Sequence, residues 1–463
     1  MKDKDVLMKK FIMLLLLVGA CGRSLADEDS KYAAFETDLL GLSSKSDTGV
    51  VALVSREEAV MFHHALGKAN LELQVPMQTS NVFEIGSITK LFTAVAILRL
   101  VDEKLISLAD PITKYLENVV SDHGIVTIEH LLAHTSGLQD PINTPVYMNT
   151  RLQESVTLKE LVDMFGTGYW QHKPGDQVYY SNVGYSMLAA IIEDVTGLTY
   201  QQYMSKAFFE PLKMTSTAQA SEAIRVGKVT GYTYSSNTPI QHGLLNLNWA
   251  FAAGDMLSTT TDLKMWMRAL MQGQLLSEKS TQKLLAPIVL NDGRVTNGSF
   301  TFSLSDIADK QTVRISGSTM GYSSHMIYQP ENELLVIVLQ NSDGINGGGW
   351  RAPSIIAGKL LATALNLPLP NYQFVPVSNA KVSLLSGEYM LPSGSVRRLT
   401  FKQKQPYYQR DKGTKFKVVS MENDCFYFED NLSYFCIRPS KDGGQQMNFF
   451  YFLQTLPEVA NRF

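Results

Sequence analysis

Apolar and polar positions change their rhythm along this chain, and the changes mark its elements. Val50 to Ser55 and Ala59 to Leu66 are β-rich runs on either side of the polar Arg56-Glu-Glu, which predicts a hairpin. After the β-like Asn81-Val-Phe-Glu-Ile comes a continuous apolar stretch with Leu91, Phe92, Ala94, Val95 and Leu98, long enough for a buried helix. A helical middle follows. From about Phe300 strand patterns return at Thr312 to Ser316, His325 to Tyr328 and Leu334 to Leu339, and a helix from Pro353 to Leu365 closes this unit. Leu367-Pro-Leu-Pro370, with Pro376 beyond it, reads as a stiff linker. The remainder, from Leu385-Ser-Gly-Glu-Tyr389 onward, is β-rich and aromatic.

Composition narrows the classes. With 463 residues and 45% apolar content the chain can bury a large core and hold more than one domain. Its 41 basic and 44 acidic residues nearly cancel, which argues against a nucleic-acid or polyanion surface. At the N-terminus Lys9 and Lys10 precede the short apolar run Phe11 to Val18, the pattern of an export signal rather than a permanent span. Two cleavage patterns stay open: Val18-Gly-Ala-Cys21 has the form of a lipobox that lipidates Cys21, and Ser24-Leu-Ala26 the form of an ordinary cleavage site. An extracytoplasmic location, periplasmic or lipid-anchored, follows from either. Cys425 and Cys436 are then an even pair in an oxidising compartment. With a two-residue turn at Asp430-Asn431, counting outward sets Cys425 opposite Cys436, which allows a disulfide.

The chemistry centres on Ser87 and Lys90. In Gly86-Ser-Ile-Thr-Lys90 one helical turn separates a hydroxyl from an amine, so both project from one face. Burial under the apolar helix lowers the lysine pKa from ~10.4 toward neutrality, where the free amine can take a proton. Average composition gives roughly two such Ser-x-x-Lys matches by chance in a chain of this length, and two others exist, Ser280 to Lys283 and Ser378 to Lys381. The first lies in a polar stretch that reads as the start of a surface helix. The second follows the Pro-rich segment. A Tyr-x-Asn triplet at Tyr180, Ser181 and Asn182 supplies a phenol to carry a proton and an amide to hold Lys90 and meet a substrate carbonyl. A second triplet, Tyr147 to Asn149, shows that the triplet alone proves little.

Other signals are negative. His130 and His134 have metal-pair spacing but no His-Glu-x-x-His pattern and no third ligand, so no metal and no cofactor is expected. His63 and His64 are neighbours on a strand and face opposite ways. No Gly-x-Ser-x-Gly elbow, Walker pattern or dinucleotide fingerprint occurs. The glycines at 344 and 347 to 349 read as a loop.

Several motifs in one order resemble the penicillin-binding, class C β-lactamase-like serine hydrolases: the Ser87 and Tyr180 segments, Asp110-Pro-Ile-Thr-Lys-Tyr115, Ile128 to Leu138, Ala189 to Gly197, Phe209-Glu-Pro-Leu-Lys-Met214, Ala253-Gly-Asp-Met-Leu-Ser258 leading to Trp266, and Gly317 to Ser324 with Pro330-Glu331. The resemblance covers residues 40 to 365. It implies an α+β fold, an antiparallel sheet flanked by helices with a mostly helical subdomain, followed by a small all-β domain similar to lipocalin-like appendages. The expected organisation is an export signal at 1–26, a hydrolase domain at 30–366, a linker at 367–376 and a β domain at 377–463. The resemblance makes Ser87 the nucleophile, with Lys90 and Tyr180 handling its proton and Asn182, Ser316, Gly317 and Ser318 meeting substrate. The N–H groups of Ser87 and Ser318 would form an oxyanion hole.

The chain departs from that family at one position. Where the family carries Lys or His before the glycine corresponding to Gly317, the chain reads Arg314-Ile-Ser-Gly317. Ile315 can neither lower the pKa of Tyr180 nor attract a substrate carboxylate. Arg314 points to the other face unless a bulge re-aims it. Two readings result. One is a hydrolase acting through an acyl-enzyme on a β-lactam, a D-amino-acid peptide or an ester, whose partner is a small-molecule or peptide substrate, peptidoglycan-derived compounds included. The other is a weak or inactive cell-wall or peptide-binding protein. Neither involves nucleic acid, and membrane contact is only through a lipid on Cys21.

Overall fold

The structure is a computed structural model that describes residues 30–40, 48–140, 154–167, 170–220, 226–235, 238–241, 246–343, 352–367, 374–428, 432–451, 453 and 457–463. The N-terminal signal with Cys21, the Tyr147 triplet, the 344–349 glycines and the Asp430-Asn431 turn lie outside them.

Six strands make the central sheet: β1 (Val50–Arg56), β2 (Ala59–Leu66), β3 (Ser303–Ile307), β4 (Lys310–Thr319), β5 (Tyr322–Gln329) and β6 (Leu334–Gln340). Their order is β3-β4-β5-β6-β1-β2, all pairs antiparallel. β1 therefore pairs with the late strand β6, from Val50 opposite Gln340 to Arg56 opposite Leu334. Both are apolar on each side because both sheet faces are covered. One face packs on the helix of residues 30–40, here α1, through Phe35 and Leu39, and on a later helix, Pro353–Leu365, through Ile356, Leu360 and Leu361.

The other face carries Val51, Leu53, Ile315, Met326, Ile337 and Leu339 against the helical part of the molecule. Its centre is α2 (Thr89–Asp102), apolar nearly all round and therefore buried. Packed on it are α3 (Asn182–Thr196) and α4 (Thr260–Met271), with Trp266 of α4 against Phe92 at 4.2 Å between ring centroids. The closing helix, Pro353–Leu365, is α5. The strands at 310–319 and 322–329 run longer than their apolar patterns predict, because Ser316 to Thr319 and Tyr322 to Ser324 pair through polar residues.

After residue 374 the chain forms α6 (Asn379–Leu385) and a nine-stranded antiparallel sheet from Gly387–Met390 to Glu458–Arg462. Its two edge strands, Lys415–Lys417 and Val419–Met421, are consecutive in the chain, so the sheet is nearly closed, like a barrel. The interior is filled by Tyr389, Tyr408, Phe426, Phe435, Met447 and Phe449. Cys425 lies opposite Cys436 in the ladder and the two are joined as a disulfide, the register that outward counting from the turn predicts.

Among the described residues no helix is long and apolar enough to cross a membrane.

Candidate active site

The nucleophile candidate is presented by a forced turn. Phe83 and Glu84 pair with Ser258 and Leu257, and Ile85 N–H donates to the Met256 carbonyl at 3.0 Å. At Gly86 the backbone turns left-handed, φ +53°, into a 3-10 turn over Gly86–Ile88 that runs on into α2. This turn lies directly on β4. A Cβ on Gly86 would stand 2.5 Å from the Ser318 nitrogen, and one on Gly317 would stand 1.9 Å from the Ile85 carbonyl oxygen. Both glycines are thus required by the close approach of two backbones. That approach brings the Ser318 backbone beside Ser87, and Ser324 on β5 ties it down by donating to the Ile85 carbonyl at 2.9 Å.

Lys90, one turn on, is only 2% exposed. Its Nζ lies 3.4 Å from Ser87 Oγ, 2.7 Å from Asn182 Oδ1 and 2.8 Å from the Ala253 carbonyl oxygen. Burial lowers its pKa to about 7, against the opposing charges of Asp140 and Asp255. A neutral amine has two N–H donors and one lone pair. The two short contacts go to oxygens that can only accept, which leaves the lone pair for the Ser87 hydroxyl.

Tyr180 and Asn182 arrive together because Ser181 caps α3, its hydroxyl accepting from Gly184 N–H at 3.2 Å. Tyr180 Oη stands 2.7 Å from Ser87 Oγ, and the ring lies 4.6 Å from Lys90 Nζ. Tyr180 is 45% exposed, with its hydroxyl on Ser87 and its ring packed on His134. Desolvation raises its pKa to about 12, the Asp140 charge adding to this and the Ser87 hydrogen bond opposing it. It is a phenol, not a phenolate, at neutral pH. With Ile315 in the apolar core at 5% exposure, no cation at that position offsets this.

Two acids and a histidine that sequence reasoning left out of the site support it. Asp140 Oδ2 accepts from Asn182 Nδ2 at 2.6 Å and from its backbone N–H at 3.1 Å. One side-chain N–H of Asn182 is therefore engaged by Asp140. Asp255 is 1% exposed and accepts from Ala252 N–H at 3.0 Å. His134 stacks on Tyr180 at 4.5 Å, accepts from Ser181 N–H through Nδ1 at 3.2 Å, and is pushed by burial down to about 3, so it stays neutral. It follows the end of the Ile128–Leu132 helix in a left-handed conformation, φ +57°, while His130 is spent on the cap at Thr127. Only the order of residues in the Thr-Ser-Gly turn could have hinted at this. Among the described residues no group of side chains suits a metal.

The remaining residues expected at the site fall on β4. Ser316 is exposed, but its hydroxyl is paired at 2.7 Å with Nδ1 of buried His325 on β5. Gly317 contributes backbone and the room for Ile85. Arg314 is mostly buried and acts electrostatically on His325, on the face away from Ile315; no bulge re-aims it. The other two Ser-x-x-Lys matches are explained locally. Ser280, buried rather than solvated, donates to Asp102 at 2.7 Å, and Ser378 caps α6 by accepting from Lys381 N–H.

The chain is similar to several known proteins. The chain is 28% identical over 327 residues to a penicillin-binding protein of Bacillus subtilis (strain 168), spanning 67% of this chain and 70% of that one. It is 28% identical over 308 residues to Protein flp of Staphylococcus aureus (strain N315), covering 63% of this chain and 59% of the relative. The octameric penicillin-binding protein homologue from Pyrococcus abyssi shares the fold with a TM-score of 0.64 at 22% identity, over 96% of this chain and 100% of that one. D-amino acid amidase from Ochrobactrum anthropi SV3 does so with a TM-score of 0.63 at 23% identity, over 73% and 100%. The family model described as Beta-lactamase matches residues 41–356, well over half of the chain, and the chain belongs to the beta-lactamase family.

Proposed function

We propose that this protein is a serine hydrolase that opens an amide, peptide or ester carbonyl through an acyl-enzyme on Ser87. The observation that carries the reading is the position of Ser87 Oγ, between a phenol at 2.7 Å and a buried amine at 3.4 Å whose two N–H groups are committed elsewhere. Ser87 Oγ forms a bond to the carbonyl carbon while its proton passes to Lys90. The carbonyl π pair moves to oxygen, facing the N–H groups of Ser87 and Ser318, each worth ~3 kcal/mol to such an anion. As the C–N or C–O bond breaks, Tyr180 gives its proton to the leaving group and is reprotonated from Lys90. Water, deprotonated by the same pair, then releases the acid.

The resting base in this reading is Lys90 and not Tyr180, because the amine is held near 7 and the phenol near 12. Ile315 shifts the substrate class toward carbonyl compounds without a carboxylate next to the reacting group, since no cation stands at that position. The names of the relatives, a penicillin-binding protein and a D-amino acid amidase, fit β-lactam, D-amino-acid amide and ester substrates. A panel of nitrocefin, D-aminoacyl anilides and p-nitrophenyl esters tests this. Turnover of neutral substrates that disappears in Ser87→Ala supports it, and Ile315→Lys should then favour carboxylate-bearing ones.

Ile315 also favours a second reading, a binding protein that acylates slowly or not at all; stoichiometric labelling of Ser87 without turnover would select it. Export is part of the proposal, resting on the Lys9 to Ala26 pattern. The mass of the mature N-terminus decides between a lipidated Cys21 and a start at Asp27.

A further inference from the structure

The buried acid Asp255 lies outside the serine, amine and phenol constellation, yet it sits at the base of one of the two contacts that orient the amine. Its Oδ1 accepts from Ala252 N–H at 3.0 Å and its Oδ2 from Gln219 Nε2 at 2.7 Å. Ala252 is left-handed at φ +57°, a conformation a residue with a Cβ rarely adopts, so the turn needs an external brace. The brace has a directed consequence. The next residue, Ala253, aims its carbonyl at Lys90 Nζ, 2.8 Å away, while the Ala252 carbonyl accepts from Thr93 Oγ1 at 2.6 Å on the same helix. Gly254 completes the turn against Gly86, with a Cβ there meeting the Gly86 backbone at 3.8 Å.

We propose that Asp255 is a positioning residue for the amine: by holding the left-handed turn at Ala252 it fixes the Ala253 carbonyl on Lys90 and so aims the lone pair at Ser87. The inference rests on the serine-hydrolase reading above for its catalytic meaning, but its geometry can be read without turnover. Asp140 plays the matching part on the other side, through Asn182. The groups facing Lys90 are Asp140, Asp255, Tyr180, Tyr185 and His134, and those facing Asp255 are Lys90 and Tyr200. Both buried phenols, Tyr185 and Tyr200, are shifted upward and His134 downward, which leaves Asp255 and the amine as the groups that burial brings toward neutrality.

The test uses the full chain with 13C-labelled lysine, the Lys90 resonance assigned by its loss in Lys90→Met. In Asp255→Asn the midpoint of the Lys90 titration should move to lower pH, because a nearby negative charge favouring the ammonium is gone. The same variant should label with a phosphonate ester roughly tenfold to a hundredfold more slowly at the high-pH plateau, from misaimed amine rather than lost binding. Asp255→Asn with Gln219→Glu exchanges donor and acceptor across the 2.7 Å contact and should recover most of that plateau. An unmoved Lys90 titration in Asp255→Asn, or a plateau loss that the exchange variant does not restore, overturns the proposal. If wild type forms no Ser87 adduct, the hydrolase reading fails on its own, and the titration still decides whether Asp255 governs the amine.

Discussion

Replacing Lys90 by methionine separates the requirements of stability from those of chemistry. Lys90 is fully buried with a pKa of about 7 in the fold, against 10.5 as its ordinary value. Between those two pH values the unfolded chain binds a proton that the folded chain does not, so the stability of the wild type rises with pH across that window. Below the lower value the full penalty is present, on the order of 5 kcal/mol at 1.36 kcal/mol per pKa unit. Methionine has similar length, carries no proton, and has no such dependence. The comparison is made between pH 8 and pH 10, above the value of about 7 to which burial raises Asp255. Across that interval the wild type should gain about 2.5 kcal/mol relative to Lys90→Met. The absolute difference at either pH is harder to read, because methionine abandons the acceptors on Asn182 and Ala253, each costing about 1–3 kcal/mol if left unpaired. Urea unfolding of both proteins at each pH gives the double difference, in which the pH-independent cost cancels. A difference that stays flat between pH 8 and pH 10 would mean that Lys90 is protonated in the fold, and the argument for a neutral base would be wrong.

Other consequences are more local. Acylation by a reporter ester should lose rate below an acidic limb near pH 7, where Lys90 takes up a proton, and should show no loss from phenol ionisation up to pH 10, because Tyr180 is held near 12; a limb near pH 4 would point to a carboxylate base instead. Tyr180→Phe removes the 2.7 Å contact to Ser87 and should lower kcat by ~10²–10⁴ with little change in Tm, as read by steady-state kinetics and thermal melting. Gly317→Ala drives a Cβ into the Ile85 carbonyl and should cost about 1–3 kcal/mol in urea unfolding while moving the Ser318 N–H out of line; an unchanged midpoint with unchanged kcat would refute the close approach. Converting Cys425 and Cys436 to serine opens a link of sequence separation 11 and should destabilise the C-terminal sheet by ~3 kcal/mol, seen as earlier proteolysis after residue 374, with catalytic parameters unaltered.

Much of this was legible in the sequence for a physical reason: helix and strand periodicity encode which side chains share a face. The Ser87 to Lys90 spacing fixed one shared face of a turn, and the apolar surroundings of α2 carried the information that the amine is dry. Ala59–Leu66 and Pro353–Leu365 have the bounds that their patterns predict. The cysteine register could be counted from a turn. What the chain did not disclose are contacts made by main-chain atoms or by residues far apart in sequence. The Ala253 carbonyl on Lys90 spans 163 positions and depends on backbone direction alone. Asp140 reads as an ordinary loop acid until the fold sets it beneath Asn182. Ser316 is a further case, since its hydroxyl is paired with His325 on the next strand, a contact that only the register reveals.

The most direct test is to treat the purified protein with a phosphonate ester and locate the added mass by peptide mapping. One adduct is expected, on the peptide holding Ser87, formed faster at pH 8 than at pH 6 and absent from Ser87→Ala. An adduct that persists in Ser87→Ala, or hydrolysis that survives that substitution, would contradict this.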